Sequence, residues 1–320
     1  MDIINSMQTS SLYLGIDGGG TKTLALIAND AGTVLGRGIA GPSNYHRVGI
    51  DAAYLALDKA FQNALYAIPS QDEINKSKQI KAVCLGLAGV DRPVDRMMFQ
   101  DWLNSRLPQV PFHLTNDALP VLAAGTPQNW GVAVISGTGS IAYCLTPQGK
   151  LARAGGWGYI FGDEGSAYSI GLEALRAAAQ SADGRLPETR LLPAILSNWN
   201  LVDPADLVNK VYSTSIGREN IAQLSILVAQ TAGLGDKIAQ GILENAGRDL
   251  ARIGFAAAKY LDLTKPVPCA IAGSVLLHNP SVVSEFIRFA KQLGMQPEPI
   301  TAVPEPAIGC LKLAAQLQNL

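Results

Sequence analysis

Apolar positions fall in short runs at the start of the chain and recur at helical spacing towards its end. Residues 12–16, 24–28 and 33–39 are strand-like runs, separated first by Asp17 and a triple glycine and then by the turn Asn29-Asp30-Ala31-Gly32. Runs of this length, bounded by glycine and Asn/Asp, predict three antiparallel strands. The pattern then alternates: a helix over 51–66, a buried strand over 82–87, a helix over 95–107, a short strand over 111–115, and a helix over 118–125 closed by Gly125 and Pro127.

The opening pattern then returns. Val132-Ala133-Val134-Ile135 leads into Ser136-Gly137-Thr138-Gly139-Ser140, a second run over 141–145, the turn Thr146-Pro147-Gln148-Gly149, and a third run over 150–154. Strand, glycine turn, strand, polar turn, strand thus occurs twice, which implies two domains of one supersecondary plan. The remainder is mostly helical, over 164–181, 204–212, 218–233, 236–261, 282–293 and 305–317, with strands over 267–272 and 298–301.

Composition narrows the partners. A length of 320 residues exceeds what one core usually fills. Lysine plus arginine number 25 against 26 acids, so no global field would gather nucleic acid or an anionic membrane, and a small molecule is the expected partner. Cys84, Cys144, Cys269 and Cys310 stand apart with no C-x-x-C pair, which argues against a zinc ribbon or a disulfide framework and for a reducing cytoplasm. His46, His113 and His278 are equally scattered, so no metal-ligand spacing is visible. Residues 1–7 carry no basic segment followed by an apolar one, and no run is long enough to span a bilayer, so neither export nor anchoring is expected.

The candidate chemistry lies in the turns. In Asp17-Gly18-Gly19-Gly20-Thr21-Lys22-Thr23, three glycines let backbone N–H groups approach an anion with no Cβ in the way, the makings of a phosphate cradle. A tight hairpin would account for one or two of those glycines. The P-loop pattern fails, because Thr21 stands where its lysine should follow and a strand comes next. Gly137, Thr138 and Gly139 form a second turn rich in donors, but it opens a strand and therefore not a dinucleotide-binding helix. In 155–166, glycines flank Trp157 at a cost in backbone entropy, so something must approach this backbone closely. Asp163 and Glu164 also read as acids of a helix first turn. Asn116-Asp117 ends a short strand, where open α/β sheets place ligand-binding groups, although an Asx turn or cap explains them too. Asn44 reads as a loop residue or a sugar-hydroxyl ligand, and Gly273-Ser274 as an adenosine-side turn or a plain βα turn.

Together, residues 17–23, Thr115-Asn116-Asp117-Ala118, 136–140, Gly155-Gly156-Trp157-Gly158 through Gly162-Asp163-Glu164-Gly165-Ser166, and Ala272-Gly273-Ser274-Val275 resemble N-acetylglucosamine kinases of the BadF/BadG/BcrA/BcrD ATPase family. The resemblance implies an α/β, actin-like (ribonuclease H-like) two-domain fold, each domain a mixed sheet with flanking helices, with ATP and sugar in the interdomain cleft. The domains would be 1–128 and 129–320, the second with helical additions and a last helix free to pack back on the first. Carried over by motif, Asp117 is the base for the sugar 6-hydroxyl, and Asn44, Asp117, Ser140, Gly156, Trp157, Gly158 and Asp163 face the sugar. Gly18, Gly19, Gly20, Thr21, Lys22, Gly137, Thr138, Gly139, Gly273 and Ser274 face ATP, and Asp17 holds Mg2+ directly or through water. An animal enzyme of the family has asparagine after the second turn's serine, where this chain has Ile141. The implied activity is an ATP-dependent N-acetylglucosamine kinase, with a glucosamine or broad hexose kinase as the alternative within the class. From another class comes an ATP-driven activator of a radical dehydratase carrying an iron–sulfur cluster. A homodimer is compatible with the resemblance.

Overall fold

The computed structural model describes residues 11–69, 77, 79–90, 92–263 and 266–318. The N-terminal segment read above for an export signal lies outside the described residues. The chain forms two compact units: unit 1 holds Met1–Gly125 together with Glu305–Leu320, and unit 2 holds Thr126–Pro304.

Each unit is built on a five-stranded sheet of one plan. In unit 1, β1 (Leu12–Gly18), β2 (Thr23–Asn29) and β3 (Val34–Ala40) form an antiparallel meander, and β4 (Ile80–Leu87) and β5 (Phe112–Thr115) extend it in parallel, giving the order β3-β2-β1-β4-β5. Unit 2 repeats the plan with β6 (Gly131–Ser136), β7 (Ser140–Leu145), β8 (Leu151–Gly155), β9 (Val267–Ala272) and β10 (Pro297–Ala302), in the order β10-β9-β6-β7-β8. The repeat read from the sequence therefore covers whole sheets, including the two parallel strands that follow each meander.

The two-residue period of a strand sorts the core of unit 1. Leu12, Leu14 and Ile16 face one layer with Leu57 and Phe61 of α2 (Ile50–Tyr66) and Phe99 of α3 (Pro93–Arg106). On the other face, Leu24, Leu26, Ala82 and Cys84 meet α12 (Ala307–Gln316), and α4 (Ala118–Gly125) adds Ala123 there. A Cβ on Gly15 would lie 2.7 Å from the backbone N of Leu311, so this helix can seat only on a bare backbone. The last helix thus belongs to unit 1 although the chain reaches it from unit 2. In unit 2 one core joins Val132, Val134 and Cys144 to α5 (Ala167–Ala182), α8 (Arg218–Gly233), α9 (Lys237–Tyr260) and α11 (Pro280–Leu293).

Most predicted elements form, with shifted ends. The helix expected from residue 164 begins at Ala167, because Ser166 is its N-cap and accepts the backbone N–H of Ser169. Asp163 and Glu164 are therefore outside the helix and are not its first-turn acids. Three short helices escape the periodicity: α1 (Tyr45–Val48), α6 (Leu191–Asn198) and a one-turn α10 (Ser274–His278); α7 (Asp206–Val211) forms within the expected 204–212 but is shorter.

Candidate active site

In unit 1 the first glycine turn follows β1. Gly19 N–H donates to Lys22 O, and Gly19 O accepts the N–H groups of Ser43 and Asn44, so the turn is tied to the loop that carries Asn44. Thr23 Oγ1 meets Ser43 Oγ at 2.9 Å and closes the same junction. Asn44 Oδ1 is buried with no hydrogen-bond partner among the described residues, an acceptor left open. Arg47, from α1, donates to Gly20 O beside it.

Asp17 is the next-to-last residue of β1, and Asp117 follows β5. Burial and the neighbouring Asp117 carboxylate push Asp17 up from 3.8 to about 7, with Lys22 pulling the other way. At the Asn116-Asp117 pair the capping duty is separable. Asn116 Oδ1 accepts the backbone N–H of Ala118 and Leu119, so Asn116 stabilises the start of α4. Asp117 follows at the strand end, beside Asp17.

In unit 2 the second glycine turn and the tryptophan loop are laced together. Gly156 N–H donates to Ser140 O, Ser140 Oγ donates to Glu164 O at 2.6 Å, Ser136 Oγ donates to Gly165 O, and Ala167 N–H donates to Gly137 O. Asp163 is almost fully buried, at 4 % exposure, in a left-handed conformation with φ of 57°. Its Oδ1 accepts Ser140 N–H at 3.3 Å and its Oδ2 accepts Arg218 Nη2 at 2.7 Å. Burial pushes its carboxyl above the usual 3.8, and Glu164 adds to that push, against Arg218 and the N–H groups of Ser140 and Gly158.

Trp157 is 64 % exposed, with the Arg153 guanidinium carbon 5.6 Å from its ring centre. Ile141 packs its side chain under Gly156, where a Cβ would stand 2.4 Å from Ile141 Cδ1. Gly273, with φ of 89°, caps α10, and a Cβ there would strike Ser136 O at 2.3 Å and Gly137 N at 2.8 Å. The adenosine-side turn and the second phosphate turn are thus neighbours through bare backbone. At the other end of α10 a cavity of about 450 Å3 opens among Ala229, Gln240, Leu243, Glu244, His278 and Asn279.

Within unit 1 the fold brings together Asp17, Gly18, Gly19, Gly20, Lys22 and Asn44, with Asp117 beside Asp17; within unit 2 it brings together Gly137, Gly139, Ser140, Gly156, Gly158, Asp163 and Gly273. Thr21 is an exposed member of the first turn, and Thr138 and Ser274 complete the two turns of unit 2. Sequence reasoning missed Arg218, which it took only as the first residue of an amphipathic helix. No local signal marks a residue 55 positions beyond the carboxylate it pairs with.

Two sheets of one 3-2-1-4-5 plan, each with a glycine turn after its first strand, define an actin-like ATPase fold. The chain belongs to the BadF/BadG/BcrA/BcrD ATPase family, whose model matches residues 14–314. It is 34% identical over 262 residues to the N-acetyl-D-glucosamine kinase of Dictyostelium discoideum, a match spanning 80% of this chain and 82% of that one. It is 35% identical over 277 residues to an N-acetylmuramic acid/N-acetylglucosamine kinase of Clostridium acetobutylicum, spanning 86% and 89%. The solved structure of a candidate N-acetylglucosamine kinase from Porphyromonas gingivalis superposes with a TM-score of 0.75 at 26% identity, covering 96% of this chain and 99% of that one.

Proposed function

We propose that this protein is an ATP-dependent kinase that phosphorylates the 6-hydroxyl of N-acetylglucosamine. The observation that carries this reading is the carboxylate pair of unit 1, Asp117 after β5 beside Asp17 of β1, in a chain whose relatives are named N-acetylglucosamine kinases. Asp117 accepts the proton of the 6-hydroxyl as its oxygen attacks the γ-phosphorus, and ADP leaves.

Two adjacent, partly buried carboxylates form a donor set suited to a hard cation that keeps its waters and shares substrate phosphates. Asp17 would hold Mg2+, directly or through water, and the ion would neutralise charge on the transferring phosphate. In unit 1, Gly18, Gly19, Gly20, Thr21 and Lys22 would supply backbone and side-chain donors to phosphate oxygens, and in unit 2 the turn Gly137, Thr138 and Gly139 has the same make-up. Gly273 and Ser274 would serve the adenosine side, next to the second glycine turn.

For the sugar, Asn44 Oδ1 in unit 1 is an unmet acceptor, and in unit 2 Trp157 offers a flat apolar face while lone pairs of Ser140 Oγ and Asp163 are open to sugar hydroxyls, the N–H groups of Ser140, Gly156 and Gly158 being engaged within their own loops. Ile141, packed under Gly156, removes one polar contact for the sugar that the family resemblance would otherwise supply.

The dehydratase-activator reading fits less well. Cys84, Cys144, Cys269 and Cys310 are all buried, and burial pushes the thiols of Cys144 and Cys269 up to about 11 and about 12. Buried, protonated thiols do not suit cluster ligation.

The test is ADP release with MgATP against N-acetylglucosamine, glucosamine, glucose and N-acetylmannosamine, beside a no-sugar blank. N-acetylglucosamine should give the highest kcat/KM. Asp117→Asn should keep ATP and sugar binding and lose about 10²- to 10⁴-fold in turnover. Stimulation by none of the sugars, or near wild-type turnover in Asp117→Asn, refutes the proposal.

A further inference from the structure

Arg218 belongs to no motif, yet its side chain reaches both the tryptophan loop and the second glycine turn of unit 2. Nη2 donates to Asp163 Oδ2 at 2.7 Å. The guanidinium carbon lies 5.3 Å from the Tyr159 ring centre. A Cβ on Gly139 would stand 2.8 Å from Nη2 and 2.9 Å from Asp163 Oδ2, so only glycine leaves room for the ion pair beside the second turn. Nε is buried with no partner among the described residues. Leaving a buried donor of a charged group unmet costs free energy, so stability alone is a poor reason for this placement. Orienting a carboxylate is a better one.

We propose that Arg218 is the positioning residue of the acceptor site, fixing the orientation and ionisation of Asp163 so that its carboxylate is presented to the sugar. This rests on the reading of Asp163 as a sugar ligand. With Ser140 N–H on Oδ1 and Arg218 on Oδ2, the carboxylate is gripped at both oxygens while its backbone is held left-handed. The charged groups that face it are Arg218, which favours the anion, and Glu164, which disfavours it as burial does. Removing the guanidinium leaves those upward pushes opposed only by the N–H groups of Ser140 and Gly158. Neutral Asp163 then persists to higher pH, and an anionic acceptor for a sugar hydroxyl is lost.

The experiment measures sugar KM, ATP KM and kcat from pH 5.5 to 8.5 for wild type, Arg218→Gln, Arg218→Lys, Asp163→Asn and the double variant Arg218→Gln/Asp163→Asn. Arg218→Gln should raise sugar KM by about tenfold near neutrality, with a rise towards acid that begins at higher pH than in wild type. Its ATP KM should stay within about twofold. Arg218→Lys should recover part of the loss and place the acid rise in between. In the double variant the Arg218 change should add nothing to Asp163→Asn. If Arg218→Gln does not fold, the shifted pH profile of Arg218→Lys decides the question. An unchanged sugar KM and pH profile in the Arg218 variants, with Asp163→Asn impaired, overturns the positioning role. A fall in kcat alone, equal at every pH, overturns it too, as the mark of a structural role. An unimpaired Asp163→Asn instead overturns the sugar-ligand reading beneath it.

Discussion

Asp17 is the residue at which folding and function conflict. Its carboxyl is raised to about 7, so the folded chain holds that proton more tightly than the unfolded chain, where 3.8 is the ordinary value. The associated stability is fully present below 3.8 and is lost as pH rises towards 7. Asp17→Asn removes that loss. In the presence of a chelator the variant should therefore melt above wild type at pH 8 and match it near pH 4, as thermal unfolding would record, while its magnesium-dependent turnover falls by orders of magnitude. A variant that melts lower at pH 8 would mean that Asp17 is not held against its charge. The same scale shows where the sequence runs short. Asp117 and Asn116 are adjacent and chemically alike, and only the hydrogen bonds of Ala118 and Leu119 decide that Asn116 is the cap.

At the scale of elements, patterning alone places the strands and the long helices, since burial on one face imposes a period of 2 or 3.6 wherever a segment is long enough to display it. α10 has five residues and α1 has four, too few for a period to emerge. Contacts between elements rest on groups that the sequence does not pair. Glu285 on α11 receives Arg248 of α9 at 2.6 Å and Arg288 of its own helix, and hydrogen bonds from Arg288 and Arg248 lower its carboxyl to about 2 despite burial. A depressed carboxyl adds stability that is present above the ordinary 4.5 and is lost as pH falls to about 2. Glu285→Gln should therefore cost about 1–3 kcal/mol at pH 7, and the gap in Tm should close towards pH 2. A pH-independent gap would assign the loss to packing instead of charge.

At the scale of the whole molecule, the chain leaves unit 2 at Pro304 and finishes unit 1 with α12. Bidentate contact of Arg37 with Glu305 anchors the return, and Ala307, Cys310, Leu311 and Leu313 then cover one face of the first sheet. A chain ending at Pro304 would expose Leu24, Leu26, Ala82 and Cys84, so limited proteolysis should degrade residues 11–125 while unit 2 survives as a protected fragment. Equal protection of both units would show that α12 is dispensable.

The doubled meander, the two glycine turns and the tryptophan loop were legible in the amino-acid order because each is a local pattern, set by alternation and by glycine where backbone must stand bare. The seating of α12 on Gly15, the approach of Gly273 to Ser136, and the grip of Arg218 on Asp163 join residues 55 to 296 positions apart. Such pairs leave no mark on local order, and tertiary packing alone brings them into contact, which is why only the folded structure could decide them.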